Sequence, residues 1–249
     1  MDVYDNPKYY EIAFSFRDIP KEVDFIEQVI AKESKIPVKT FLEIASGNSP
    51  HMQELCSRGY GYIGLELSKP MVTYSRDKIK RLGLNAEIVE GDMIKFSIHR
   101  LADCTLLFLG SLYIKGDDEL LNHLNSVAKT LNSGGLYILD GAVTFFPEDV
   151  HTQSWEMEEG GIKVTTTYKV ESTDVDTRIL KAKIILDIDD AGEKKIIEHL
   201  EIRKIYSADE FISRATQSGQ WEYIDAFSNF NIANKPQKRQ RNSIVLRRK

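Results

Sequence analysis

Apolar and polar positions form two different patterns along the first 142 residues. Short apolar runs, each of the length of one buried strand, lie at 39–45, 62–67, 86–92, 103–109 and 136–142. Between these runs, apolar residues recur every three or four positions, which is the period of a helix packed on one face. Strands that alternate with helices form parallel sheets, so the pattern predicts an α/β fold whose first five strands are parallel.

One of the intervening helices has clear terminal signals. Ser68 is placed to cap a helix over 69–82, which has Pro70 in its first turn and Gly83 just past its end. Two further helices are predicted over 50–58 and 117–131.

The pattern changes after residue 142. Residues 160–205 hold three alternating stretches separated by STDVDT and DDAGE, which predicts an antiparallel meander. A helix over 207–218 and two last strands, WEYIDAF and NSIVLRRK, can complete an antiparallel sheet edge. The expected fold class is therefore a doubly wound, Rossmann-like, mostly parallel seven-stranded sheet with an antiparallel β insertion after the fifth strand. Residues 1–249 are expected to form one domain.

Composition and charge narrow the function classes. A net charge of −5 with 29% charged residues does not favour nucleic acid or a membrane surface as a partner. Cys56 and Cys104 form no CxxC pair and the histidines show no metal-ligand spacing, so no metal site is predicted. The N-terminus lacks a signal-peptide core, and no run reaches the ~18 apolar residues of a membrane span. We expect a cytoplasmic protein, with its oligomeric state open.

Small residues follow the first predicted strand. In FLEIASGNS the turn consists of Ala45, Ser46, Gly47, Asn48 and Ser49. Because these side chains are small, backbone N–H groups at the start of the next helix can face a carboxylate or phosphate. The turn alone does not identify a ligand, since it is not a GxGxxG.

Acidic residues end the second and third predicted strands. Glu66 lies 19 residues beyond Gly47, where it can accept hydrogen bonds from both hydroxyls of a ribose and disfavours a 2′-phosphate. Asp92, in Gly91-Asp92-Met93, can accept a hydrogen bond from an adenine amino group, and Met93 and Met71 can supply apolar faces for the ring. The spacing of these pieces predicts an adenosyl site.

The runs FLEIASGNS, GLELSKPMV and VEGDM together resemble the motif set of class I S-adenosylmethionine-dependent methyltransferases over residues 38–142. The resemblance implies S-adenosylmethionine as the cofactor and Glu43 as the acid before the glycine loop. It implies these cofactor-binding residues: Glu43, Ala45, Ser46, Gly47, Asn48, Glu66, Leu67, Met71, Gly91, Asp92, Met93 and Leu109.

The segment FLGSLYI at 108–114 resembles a subgroup of small-molecule methyltransferases. In that subgroup a β-rich insertion after the fifth strand covers the acceptor site, which implies this role for 150–205. Residues 1–37 are then expected to form a helical N-terminal lid. Tyr113 is expected to contact the acceptor, with a packed aromatic at a helix entry as the open alternative.

Two of the three glycine positions in the loop are filled by Ala45 and Ser49. Alanine and serine tolerate positive φ worse than glycine. The expectation is that these positions keep φ negative or that the loop follows a different path, either of which would affect cofactor affinity.

The expected function is methyl transfer to N or O of a small-molecule acceptor. Such transfer depends largely on aligning acceptor, methyl and sulfur, so no protein nucleophile is needed and no catalytic residue is predicted. One alternative is an NAD-linked or nucleotide-sugar oxidoreductase, which would lack its GxGxxG and leave Asp92 without a role. Another is a non-catalytic adenosyl-cofactor-binding protein, suggested only by the loop substitutions.

Overall fold

The computed structural model describes residues 2–249, which form eleven strands and six α-helices. The strands are β1 (Thr40–Ile44), β2 (Gly61–Glu66), β3 (Ala86–Glu90), β4 (Ala102–Leu107), β5 (Leu131–Asp140), β6 (Gln153–Glu159), β7 (Ile162–Thr173), β8 (Ile179–Asp190), β9 (Glu193–Lys204), β10 (Trp221–Ser228) and β11 (Asn242–Arg248). The helices are α1 (Pro7–Ala13), α2 (Ile19–Glu33), α3 (Met52–Ser57), α4 (Lys69–Leu82), α5 (Asp117–Thr130) and α6 (Ala208–Gln217).

Seven strands form one sheet in the order β3-β2-β1-β4-β5-β11-β10. Strands β1 to β5 pair in parallel, whereas β11 is antiparallel to both β5 and β10. This confirms the predicted mostly parallel seven-stranded sheet. The strand order reverses between β1 and β4, and ligands of doubly wound sheets bind beyond the carboxyl ends of the strands at such a reversal.

Local signals set the ends of α4 as predicted. The Ser68 hydroxyl accepts a hydrogen bond from the Met71 N–H at 3.4 Å. Pro70 lies in the first turn, where its missing N–H leaves no helical bond unmade. Gly83 follows the helix at φ +64°, a left-handed conformation without a Cβ penalty for glycine. The entry to the helix that follows Glu66 is therefore fixed by sequence-local chemistry.

The insertion forms a separate four-stranded antiparallel sheet in the order β6-β7-β8-β9. The alternation in the sequence predicted the last three of these strands, but not β6 at 153–159. That strand is mostly polar and exposed, with only Trp155 and Met157 half-buried. An edge strand with so few apolar positions carries no clear alternation, which explains the omission.

Three apolar cores hold these layers together. One lies between the large sheet and α5 and α6, and a second lies between the opposite face and α2, α3 and α4. The third joins α1, through Ile12 and Ala13, to the inner face of the insertion sheet, through Val164, Leu186 and Ile188. The N-terminal segment and the insertion therefore pack on each other above the carboxyl ends of the parallel strands.

Candidate functional site: two adjoining cavities

The loop after β1 has positive φ at all three glycine positions, although only one of them is a glycine. Ala45, Gly47 and Ser49 have φ values of +53°, +52° and +52°. The expectation of negative φ is therefore wrong, and the alternative of a different loop path stays a prediction. The Ser46 N–H donates to the Leu65 carbonyl at 3.0 Å, and the Ser49 N–H to the Ser46 carbonyl at 2.7 Å. These bonds stabilise a conformation that costs a non-glycine residue roughly 1–2 kcal/mol.

Glu66, at the end of β2, is bonded to the loop and to the next helix. Its Oε2 accepts a hydrogen bond from the Gly47 N–H at 2.8 Å, and its Oε1 accepts one from the Ser68 N–H at 2.7 Å. Burial raises the pKa of Glu66, although these backbone donors oppose the shift. Each carboxylate oxygen can accept a further hydrogen bond, so the side chain fits the ribose role expected of it.

A cavity of about 710 Å³ opens beside these residues. It is lined by seven residues predicted to bind the cofactor: Ala45, Gly47, Glu66, Leu67, Gly91, Asp92 and Met93. Leu67 exposes 65% of its surface here, which is unusual for a large apolar side chain. Asp92 is also exposed, with Oδ1 accepting a hydrogen bond from the Ile94 N–H at 2.8 Å. An apolar face beside an available carboxylate fits an adenine ring with its amino group.

Four other predicted contacts lie behind the wall of this cavity. Met71 is fully buried, because Pro70 takes the position on the cavity side of the helix entry. Ser46 is buried under the loop, and the Asn48 side-chain amide donates to Glu11 Oε1 at 3.3 Å. Glu43 is likewise only 3% exposed. The structure therefore does not bring Glu43, Ser46, Asn48 or Met71 to the cavity, and their direct contact with a cofactor remains a prediction.

Glu43 is instead engaged by a buried histidine and a tyrosine. Its Oε1 lies 2.7 Å from His51 Nδ1, and its Oε2 accepts a hydrogen bond from the Tyr62 hydroxyl at 2.5 Å. Glu22 Oε2 lies 3.0 Å from His51 Nε2. Burial alone lowers the pKa of His51, but the two carboxylates outweigh it and raise that pKa. Both ring nitrogens of His51 thus face carboxylates, directly after the loop.

The charges around His51 extend to the end of β5. Arg17 Nη2 lies 2.5 Å from Glu22 Oε2, and Arg241 Nη1 lies 2.9 Å from Glu22 Oε1. Arg241 also donates through Nε to Asp140 at 3.0 Å. These residues were not predicted from the sequence, because nothing in their spacing indicates that three distant segments meet. The network joins the N-terminal segment to the residues after the loop and to the end of β5.

A second cavity, of about 480 Å³, lies between α1, the insertion sheet and the ends of β4 and β5. Leu109, predicted to bind the cofactor, lines this cavity at φ +57° rather than the larger one. Aromatic side chains supply much of its wall: Tyr4, Tyr10, Phe14, Phe16, Tyr113, Trp155 and Tyr168. Its polar wall includes Asp140, Glu201 and Arg203. A small molecule with apolar faces and a charged group fits such a wall.

The two cavities share part of their walls. The shared residues are Tyr4, Tyr10, Ser111, Tyr113 and Glu201. The hydroxyls of Tyr4 and Tyr113 lie 2.9 Å apart, which joins the N-terminal segment to the turn after β4. Tyr113 was predicted to contact the acceptor, and it lies at the junction with access to both cavities. Glu201 was missed, because in EHLEIRK it looks like one of several surface charges.

Arg203 joins the insertion to the large sheet. Its Nη1 donates to the Gly110 carbonyl, in the turn after β4. Its Nε lies 2.6 Å from Glu201 Oε1, although the N–H direction does not make this ion pair a hydrogen bond. The Arg203 guanidinium also lies over the Tyr113 ring, 6.0 Å from its centre. The polar side of the junction is therefore built by β9 of the insertion.

Residues 2–249 contain no group of three or more His, Cys, Asp or Glu side chains placed to hold a metal ion. Among the helices they form, none is long and apolar enough to span a bilayer.

The strand order and the adenosyl-type cavity are those expected from the resemblance to class I S-adenosylmethionine-dependent methyltransferases. In agreement, residues 41–135 match the family model of a methyltransferase domain.

Three known proteins illustrate the relationship. The chain is 26% identical over 148 residues to the dTDP-3-amino-3,4,6-trideoxy-α-D-glucopyranose N,N-dimethyltransferase of Streptomyces venezuelae, a match that covers 58% of this chain and 59% of that protein. An S-adenosylmethionine-dependent methyltransferase from Clostridium acetobutylicum has a similar fold, with a TM-score of 0.77, 18% identity and coverage of 96% of this chain and 95% of that one. A sugar N-methyltransferase from Streptoalloteichus gives a TM-score of 0.73 at 18% identity, covering 94% and 90%.

Proposed function

We propose that this protein transfers a methyl group from S-adenosylmethionine to an amino nitrogen on a sugar, carried by a small molecule such as a sugar nucleotide. The observation that carries the proposal is the pair of adjoining cavities, one with adenosyl-type residues and one with an aromatic and charged wall. The likeness to sugar N-methyltransferases supports the choice of nitrogen over oxygen.

Charge at the junction also favours an amine. Glu201 is 3% exposed and has access to both cavities. Arg203 pairs with its Oε1, so an acceptor would meet Oε2, and there an ammonium group is a better partner for a buried carboxylate than an alcohol. The oxidoreductase alternative has no comparable use for an acceptor cavity beside the adenosyl site.

A nucleotide-linked sugar would also use a basic residue at the rim. Arg239 lies exposed at the opening of the second cavity. Within residues 2–249 its guanidinium forms no ion pair, so it is free to meet a phosphate. Its backbone N–H donates to Asp149 at 2.9 Å, which fixes the segment that presents it.

We propose that residues 1–37 and 150–205 act as the lid over the acceptor site within one domain, 1–249. Support comes from the packing of α1 on the insertion sheet and from the aromatic side chains that both segments place on the second cavity. We also propose a cytoplasmic location, in keeping with the free thiols of Cys56 and Cys104.

The test has two stages. Calorimetry with S-adenosylmethionine and S-adenosylhomocysteine measures cofactor binding, and no binding of either at millimolar concentration refutes the assignment. Mass spectrometry then follows methylation of three probes: a dTDP-amino sugar, a free amino sugar and the matching hydroxy sugar. We expect product only with the amines.

The variant Arg239→Gln should slow the reaction of the dTDP-linked amine and leave that of the free amino sugar unchanged. Transfer to the hydroxy sugar alone would overturn the choice of nitrogen.

A further inference from the structure

Glu201 occupies a special position on β9. Of the described residues it is the only carboxylate that lines both cavities. It lies on the inner face of the insertion sheet, opposite Ala182 of β8. Any group that passes from one cavity to the other must do so at the wall they share, so Glu201 borders that passage.

The two oxygens of Glu201 have different surroundings. Oε1 takes both protein contacts, lying 2.6 Å from Arg203 Nε and accepting a hydrogen bond from the Tyr168 hydroxyl at 3.5 Å. Oε2 has no hydrogen-bond donor within residues 2–249. Oε2 is not one of the fully buried side-chain atoms that lack a hydrogen-bond partner, so it keeps some exposed surface. A carboxylate oxygen of a buried residue is therefore left available on the cavity side.

We propose that Glu201 is a catalytic residue that binds the acceptor's amino group through Oε2 at this junction and removes its proton. The inference rests on the proposed amine methylation and assigns its general base.

The proton and electron balance is simple. Glu201 takes one proton from the acceptor's ammonium group, which leaves a neutral amine with a free electron pair. S-adenosylmethionine supplies a methyl group whose bond to sulfur breaks as the C–N bond forms, with the bonding pair left on sulfur. The product nitrogen then carries the positive charge. Glu201 passes its proton to solvent through the open side of the cavity.

The groups around Glu201 allow this role. Those that face it are Arg203 and His199 of β9, Tyr168 of β7, Tyr113 after β4 and Tyr4 of the N-terminal segment. Burial raises the pKa of Glu201, and the positive charge of Arg203 opposes that shift. A carboxyl group with a raised pKa accepts a proton more readily near neutral pH than an exposed one does. Arg203 keeps the side chain oriented through Oε1.

A binding experiment tests the position of Oε2 without relying on turnover. Sinefungin carries an amine in place of the methyl group that S-adenosylmethionine presents to the acceptor, whereas S-adenosylhomocysteine carries nothing there. In the wild type we expect sinefungin to bind on the order of 10-fold more tightly than S-adenosylhomocysteine, since a hydrogen bond to a charged group is worth this much or more. Glu201→Gln should abolish this preference and change S-adenosylhomocysteine affinity by less than about 2-fold.

The matched control is Glu198→Gln, on the same strand. Glu198 points to the opposite, exposed face, where its Oε2 accepts a hydrogen bond from Lys183 at 3.0 Å. This variant should keep the wild-type preference. Glu201→Asp keeps the charge on a shorter arm and should restore part of it, which separates the charge from a packing defect.

Turnover supplies the second measurement. With a dTDP-amino sugar as the probe, Glu201→Gln should lower kcat/KM at pH 7 by about 100-fold, the usual range for loss of a general base. The deficit should shrink at a pH above the pKa of the acceptor amine. An unchanged sinefungin preference in Glu201→Gln would overturn the inference. Loss of that preference in a protein whose wild type methylates no amine would instead refute the proposed function and leave the placement of Glu201 standing.

Discussion

The positive φ values in the cofactor loop predict that two substitutions change the free energy of unfolding in opposite directions. Ala45 and Gly47 have nearly the same φ, +53° and +52°, but only one of them carries a side chain. A non-glycine residue in this region costs roughly 1–2 kcal/mol. Glycine also makes the unfolded chain more flexible, which lowers the free energy of unfolding by about 0.4–1 kcal/mol. Ala45→Gly should therefore raise the free energy of unfolding by about 0.5–1 kcal/mol.

Gly47→Ala should have the reverse effect and separates strain from crowding. A Cβ added at Gly47 would lie no closer than 3.8 Å to another side chain, at Tyr10, so no clash is introduced. The free energy of unfolding should fall by a similar amount, about 0.5–1 kcal/mol. Urea denaturation at pH 7 measures both variants, read as shifts of the midpoint at constant m-value. If both variants destabilise the protein equally, the loop does not hold the conformation described, and the strain argument fails.

Three further predictions concern the cofactor site and the buried histidines. Asp92→Ala should weaken S-adenosylhomocysteine binding by about 10-fold, because the hydrogen bond between the adenine amino group and the carboxylate is lost. Stability should change little, because Asp92 is exposed and water can replace it as the acceptor for the Ile94 N–H; calorimetry giving wild-type affinity would remove its adenine role. His51→Ala should destabilise the protein by about 3–5 kcal/mol, since Glu43 would be left buried with only the Tyr62 hydroxyl as a partner, whereas Glu22 keeps Arg17 and Arg241; a midpoint close to wild type in denaturant would contradict this. Burial lowers the pKa of His123 to about 4, so its contribution to stability is present above the unfolded value near 6.5 and is lost as pH falls through about 4. The free energy of unfolding should therefore fall by about 2 kcal/mol between pH 7 and pH 5 because of His123. Denaturant unfolding of His123→Gln at the two pH values should not show this loss.

The fold was predictable because its signals are local. The Ser68 cap and Gly83 stop delimit α4 from a few neighbouring residues, and the apolar runs that became β1 to β5 are each continuous in sequence. The strand β6 was missed because an exposed edge strand needs little apolar surface. The negative φ expected for Ala45 was wrong for a different reason. The preference of a non-glycine residue for negative φ is worth only about 1–2 kcal/mol, and the hydrogen bonds along the loop outweigh it.

The candidate site was predictable only in part. Glu66, Leu67 and Asp92 follow strand ends, so their meeting at one sheet edge follows from parallel topology alone. Met71 is buried while Pro70 lines the cavity, so contact of Met71 with the cofactor stays a prediction. Glu201 was not found, because its importance depends on the packing of the insertion over the large sheet, which no spacing in the sequence encodes.

Two arginines join elements around the second cavity to the ends of β4 and β5. Arg203 reaches from β9 to the Gly110 carbonyl after β4, and Arg241 bridges Asp140 at the end of β5 to Glu22 of α2. Arg203 also places Glu201, so the position of the proposed base depends on the same turn that lies beside the cofactor cavity. Neither cavity can therefore change shape at this wall without moving groups of the other. This is the arrangement that in-line transfer between two ligands requires, since the reacting atoms must be aligned by one rigid surface.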